Sequence, residues 1–294
     1  MREVSGAEVT PAERFPFGQS STARPPRKPD GPAELFVLGV YPSALHVGWT
    51  PPAWAAGKPG IRAIGALAVD NEPVVFWDGD DPSADVLVDQ WRTAVNFVSG
   101  DHAGAWGHVK AQGNGTSGRG VVERVLEPLG VEPSTTWFTD AIDRFFIKKG
   151  TKRRPGQAEA MADRYGPFAQ EVGLPPATLP RRPTRAALVK LAAAEHRERL
   201  VNELTTAAAP LVVTLGEEAR RVLSEIADEA STNGAPTLPL TASNFAGSAA
   251  ATYGERGSAR VAGQSFGWHA LVHPGQRSKA WCALHDQWIE RRQS

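Results

Sequence analysis

Three short, nearly continuous apolar runs set the pattern of this chain: Leu35-Phe36-Val37-Leu38-Gly39-Val40, Trp137-Phe138-Thr139-Asp140-Ala141-Ile142 and Leu211-Val212-Val213-Thr214-Leu215-Gly216. Runs of this length, apolar at consecutive positions, predict strands buried on both faces, as in a parallel sheet. Between them the apolar spacing turns helical, at Ala84–Ser99 (Leu87, Trp91, Val95, Val98), Val121–Leu129, Arg185–Ala207 and Glu217–Ala230. Ala259–Val261 and Phe266–Val272 read as short strands around Gly263, and Ser278–Arg291 as a closing helix. Strands alternating with helices predict an α/β fold, three layers α/β/α around a mainly parallel sheet. The stretch from Lys148 to Thr184 reads as a polar, Pro-rich excursion.

Composition narrows the class. With 41% hydrophobic residues and one cysteine in 294 residues, the chain can bury a core but cannot close an internal disulfide. Cys282 alone cannot hold an iron–sulfur cluster or a cysteine-rich zinc site, and a reducing, cytoplasmic setting is expected. No apolar stretch approaches the ~20 residues of a membrane helix. Residues 1–33, rich in Pro and Arg without an apolar signal segment, are expected to form a flexible arm ahead of one domain over 34–294.

Charge changes the picture through its distribution. The totals are 32 Lys+Arg and 32 Asp+Glu, yet 69–90 holds acids without Lys or Arg, while Arg144–Arg154 holds Arg and Lys without an acid. A second basic run follows at Arg181, Arg182 and Arg185. Such runs are either solvated faces or a rim for phosphates.

Candidate chemistry gathers at strand ends, where open parallel sheets bind ligands. Gly39–His46, Asp140–Arg144 and His273–Ser278 each deliver polar or Gly/Pro-bearing segments there. Structural roles compete with each: strand termination by Gly39 and Pro42, and helix capping by His46 or Asp140. The glycine loop 113–120 lacks the lysine of a phosphate-binding P-loop, and Ser43 lacks the G-x-S-x-G elbow of a serine hydrolase. His102/His108 and His269/His273 lack the glutamate of a zinc-helix motif.

Taken in order, these segments resemble the uracil-DNA glycosylase superfamily over most of 35–289. Leu38-Gly39-Val40-Tyr41-Pro42-Ser43 looks like its first strand-to-loop motif, written G-Q-D-P-Y-H or G-E-x-P-G in member families. Gly115-Thr116-Ser117-Gly118-Arg119 through Gly130 looks like "sGrlL…lG". Phe138-Thr139-Asp140-Ala141 sits where the base-reading Asn lies, and 195–223 looks like "L…EL…P.vvv.LG..A…L". His273-Pro274-Gly275 looks like H-P-S. The resemblance implies a glycosylase that acts on a base flipped out of DNA, without cofactor or metal, as a monomer. It implies His273 as donor to the leaving base and Asp140 in the base site. Gly39, Val40, Tyr41, Pro42, Ser43, His46 and Asp78 would line the base pocket; Ser117, Arg119, Arg144, Lys148, Lys149, Gln276, Arg277 and Ser278 would contact DNA.

The departures bear on substrate. Tyr41 stands where the family has a catalytic Asp or Asn, and Asp140 where it has the uracil-reading Asn. A carboxylate accepts hydrogen bonds but donates none, so it favours a base edge carrying amino or imino donors over plain uracil. The spacing between Tyr41 and Asp140 marks 49–110 as an insertion, whose tryptophans Trp49, Trp54, Trp77, Trp91 and Trp106 either enlarge the pocket for a modified base, as in foreign phage DNA, or build core. Asp140, Asp78 or Asp80 would orient the attacking water. Two alternatives stay open: a catalytically silent DNA-binding protein of this fold, and an N-glycosidase of free nucleosides or nucleotides.

Overall fold

The structure is a computed structural model that describes residues 13–79, 114–150, 155–228, 252–275 and 278–293, with the strand backbone of 105–109 and the helical positions 86, 89 and 93. Much of the helix expected at 84–99 therefore lies outside the described residues.

The expected three-layer α/β/α architecture is present. Strands β1 (Leu35–Gly39), β5 (Thr136–Asp140), β6 (Leu211–Leu215) and β8 (Gln264–Leu271) run parallel, and β7 (Gly257–Val261) pairs antiparallel with β8 at one edge. The order is β5-β1-β6-β8-β7, which places β1 between β5 and β6, buried at every position. Period-two alternation sends Phe36 and Leu38 to one face and Leu35 and Val37 to the other. The first face packs against α3 (Arg185–Glu195), α4 (Arg197–Ala207) and α5 (Glu217–Ile226) through Leu188, Leu200, Leu204 and Leu223. The second packs against α1 (116–129) and α6 (Lys279–Gln293) through Val121, Val125 and Trp288. Helix α1 covers 116–129 as an α turn at Thr116–Val121, a π segment at Val122–Leu126 and a last turn at Glu127–Leu129. The helix expected over 185–207 breaks at His196, whose φ of −113° and ψ of 3° leave helical space.

A second sheet, β3-β2-β4, is antiparallel and holds β2 (Ala44–Thr50), β3 (Ile64–Asn71) and β4 (Ala105–Val109). It begins at Ala44, so the extra sheet takes in part of the first strand-end segment as well as the expected insertion. Its core joins Trp49 and Trp77 to α2 (Gln157–Val172), with Trp49 4.7 Å from Phe168. These two tryptophans are core rather than stacking surfaces. Helix α2 was hidden in the supposed excursion because Pro155 and Pro167 mask Met161, Tyr165 and Phe168, apolar at i, i+4 and i+7.

Residues 13–33 correct the flexible-arm expectation. Phe15 and Phe17 are buried in the small-sheet core, the amide and carbonyl of Arg27 exchange 2.9 Å hydrogen bonds with Phe138, and Lys28 stands over Trp137. The apolar pair Phe15/Phe17 supplies what an arm of Pro and Arg alone would lack. Among the described residues no helix is long and apolar enough to cross a membrane.

Candidate functional site

The carboxyl ends of β1, β5, β6 and β8 lie along one edge of the sheet. Gly39 and Asp140 are register partners there. A Cβ on Gly39 would collide with Asp140 Oδ1 and stand 2.7 Å from Phe76 Cζ, so the bare backbone is what lets carboxyl and ring meet over the strand end. Phe76 holds φ at +53°, a left-handed conformation that bulky residues avoid, and its ring lies 5.9 Å from Phe138.

The glycine loop explains how Phe76 reaches this place. Gly115 and Gly118 carry segment 76–79 against the start of α1; a Cβ on Gly118 would strike the carbonyl oxygens of Trp77 and Phe76. The loop packs protein backbone instead of cradling phosphate. Gly118→Ala is expected to lower stability by ~2–3 kcal/mol, read as a shifted denaturant midpoint, because the nearest obstacles are main-chain atoms. An unchanged midpoint would show that 76–79 is not held there.

Two buried carboxyls share this end. Burial pushes Asp140 up to about 8, with Arg199 opposing and Glu72 and Glu203 adding to the rise. Burial pushes Glu72 up to about 7, against the 2.9 Å hydrogen bond it accepts from the Gly115 amide and the charges of Arg119 and Arg24. The sequence expectation of an acceptor-only Asp140 is corrected accordingly. Below pH 8 its carboxyl keeps its proton and presents one donor and one acceptor, as an amide does. Arg199 reaches the same strand end from α4, donating to Thr139 Oγ1, Glu203 and the carbonyls of Asp140 and Ala141.

At the other side of the edge, His273 follows β8. Its Nδ1 accepts a 3.0 Å hydrogen bond from the Gly275 amide, so the proton of the neutral ring sits on Nε2. Burial lowers its pKa to about 4; the charge of Lys148 lowers it further and Glu218 opposes. Pro274 rests on Gly120 of α1, where a Cβ would come within 2.6 Å. Underneath, the Val272 amide donates to Tyr253 Oη, which is 2.8 Å from His285 Nδ1, and His285 Nε2 reaches the Arg124 carbonyl at 2.9 Å inside the π segment. That chain of contacts locks the residue before His273 to α1 and α6.

Tyr41 and Glu218 connect the two sides. The Tyr41 ring meets Phe146 edge-on at 5.6 Å and lies under the Arg182 guanidinium at 5.5 Å. Burial raises its phenol above the ordinary value, so it stays protonated. Glu218, in the first turn of α5, accepts from Arg182 at 2.7 Å and Arg185 at 3.2 Å. Burial raises its carboxyl, but these hydrogen bonds and charges outweigh it and leave it ionised below the usual range.

The other predicted residues divide. The Val40 carbonyl accepts from Ile142, Pro42 is buried, and the Ser43 carbonyl accepts from Glu72, all close behind the edge. His46 belongs to β2; Asn114 pairs with its amide and carbonyl, and its ring faces Gln157 at 3.1 Å. Asp78 is held through its carbonyl by Arg119. Arg119 is thereby turned inward, also onto the Asn114 carbonyl at 3.1 Å, so both terminal nitrogens donate to protein backbone. Ser117 is half-buried on α1. Arg144 pairs with Glu13 at 3.3 Å and Glu195 at 3.2 Å, whereas Lys148 and Lys149 are exposed. Ser278 leads into α6 with its carbonyl bonded to the Cys282 amide; Gln276, Arg277 and Asp80 lie outside the described residues. His269 spends Nδ1 on the Glu255 carbonyl and Nε2 on Arg292, so it does not join His273 as a ligand pair. Among the described residues no cluster of three His, Cys, Asp or Glu is placed to hold a metal.

Glu72, Phe76 and Glu218 escaped the sequence reading, and Arg182 entered it only as part of a basic run. The start of a helix directly after a strand end was the available signal for Glu218; the others depend on chain crossings that spacing does not reveal. The sequence matches no known family model and no characterised protein.

Proposed function

We propose that this chain is a DNA glycosylase that hydrolyses the N-glycosidic bond of a flipped base in DNA, leaving an abasic site. The observation that carries this reading is one strand edge with a proton-bearing buried carboxyl, Asp140, at one side and an imidazole with its proton on Nε2, His273, at the other. The order of the segments that resemble uracil-DNA glycosylases supports it.

In this reading the base lies on Phe76 and is read by Asp140. The C1′–N bond breaks, the base departs with the electron pair, and His273 Nε2–H stabilises the developing anion. Water adds to C1′ and passes a proton to Glu72, which is partly ionised near neutral pH. Glu218 keeps an anionic charge near His273. Lys148 and Lys149 contribute phosphate contacts, and the protein works as a monomer.

The test is abasic-site formation on duplexes that each carry one altered base, developed by alkaline strand cleavage. Release of at least one base is the expected result. Duplex binding without release across the panel would instead favour a catalytically silent DNA-binding protein.

One observation favours a second reading, an N-glycosidase of free nucleosides or nucleotides. Arg144, Arg182 and Arg185 are neutralised by Glu13, Glu195 and Glu218, which reduces the free charge at the rim. A steep loss of DNA affinity with salt would argue for the glycosylase; release of base from free nucleosides at a higher rate than from DNA would argue for the alternative.

A further inference from the structure

Two open clefts lie away from the Asp140 edge, beside the antiparallel end of the sheet. One, of about 610 Å³, is bounded by Pro210, Arg256 and Phe266; the other, of about 300 Å³, lies between 253–256 and the last turn of α6. The smaller cleft is lined by Arg256, Arg291 and Arg292 together with Tyr253, Glu255 and Trp288.

These arginines differ from those at the strand edge: none of the three forms an ion pair among the described residues. Two of them are held by neutral groups. Arg291 donates to the Tyr253 carbonyl at 3.1 Å. Arg292 donates to His269 Nε2 at 2.8 Å and stands over the Trp288 ring at 5.7 Å. Arg256 lies along the backbone of Gly267, where a Cβ would come within 2.6 Å of Nη2. Burial keeps His269 neutral, and the charges of Arg292 and Arg256 act in the same direction, so the ring accepts from Arg292 without cancelling its charge. Glu255 offsets one of the three charges, leaving an excess of two, and the Arg291 and Arg292 guanidinium groups are already oriented before any ligand arrives.

We infer that this cleft binds a phosphate group, supplied either by a nucleic-acid backbone or by a free polyphosphate. Planar guanidinium forks match phosphate oxygens in pairs, and preorganised arginines lose little freedom on binding. His269, which accepts from Arg292 of the cleft, precedes His273 by four residues along β8 and the turn after it, roughly 13 Å at strand rise.

The test uses the full chain at low salt, with inorganic pyrophosphate followed by calorimetry and a labelled DNA duplex followed by anisotropy. Arg256→Gln makes no break in the hydrogen bonds described, and Arg256→Gln combined with Arg291→Gln removes two charges. The double variant is expected to weaken pyrophosphate binding by about tenfold or more, and the single variant by a smaller factor. Arg260→Gln, nearby but paired with Asp228, should change it less than about twofold. Parallel weakening of duplex binding identifies the backbone as the source of the phosphate; loss confined to pyrophosphate identifies a free anion. Failure of the wild type to bind pyrophosphate saturably, or equal binding by a folded double variant, overturns the inference.

Discussion

Replacing His273 by alanine is expected to slow base release by about 100-fold or more while changing duplex affinity by no more than about threefold. The Gly275 amide occupies Nδ1, which leaves Nε2–H as the donor that the proposed reaction would use. With its pKa lowered to about 4 by burial and by Lys148, the imidazole is neutral throughout the physiological range. The rate should therefore show no limb from His273 between pH 6 and 8. A donor that works as a neutral hydrogen bond loses nothing as pH passes the usual histidine value. An alanine variant with the wild-type rate would remove His273 from the chemistry, and a limb near pH 6.5 that disappears in that variant would show an imidazolium at work.

The second large effect concerns Asp140. Wild-type activity is expected to fall as pH rises through about 8, where the buried carboxyl loses the proton that the proposed reading has it donate to the base edge; Asp140→Asn should abolish that fall, and Asp140→Ala should lower the rate about 100-fold or more at every pH. Stability supplies an independent readout. The unfolded chain releases this proton near the ordinary value of 3.8, whereas the folded chain keeps it to about 8, so stability contributed by Asp140 is lost as pH rises across that window. The cost has an upper bound of ~6 kcal/mol above pH 8. Asp140→Asn, which cannot ionise, should melt several degrees higher than wild type at pH 8.5, with the gap narrowing toward pH 5. A gap that stays constant with pH would mean that Asp140 is ionised in the folded protein.

The large sheet was legible in sequence because its strands are buried on both faces, so the apolar runs at Leu35, Trp137 and Leu211 had no competing period. The strand-end positions of Gly39 and Asp140 followed from those runs, and that of His273 from the short strand at Phe266–Val272. The second sheet was not legible. Its strands are bulged between Leu45/His46 and Val47/Trp49, which breaks the two-residue alternation, and its covering helix is interrupted in sequence by proline. Charge patterning misled for a related reason: Asp70 and Glu72 look like a solvated acidic run, yet both are drawn inward around Arg24 and the Gly115 amide. Arg119 likewise carries a surface charge in sequence and a backbone-bracing role in the fold.

The chain before β1 threads both halves of the molecule. Phe15 and Phe17 are set among the side chains of the small sheet, and a few residues later Arg27 adds a bridge to the outer side of β5, the strand that ends in Asp140. The segment therefore works as a clasp: the small sheet cannot peel away from the large one without pulling a ladder contact off the strand that positions the carboxyl. Integrity of the site is mechanically linked to a region far from it, and a shortened version starting at residue 34 would lose more than a tail.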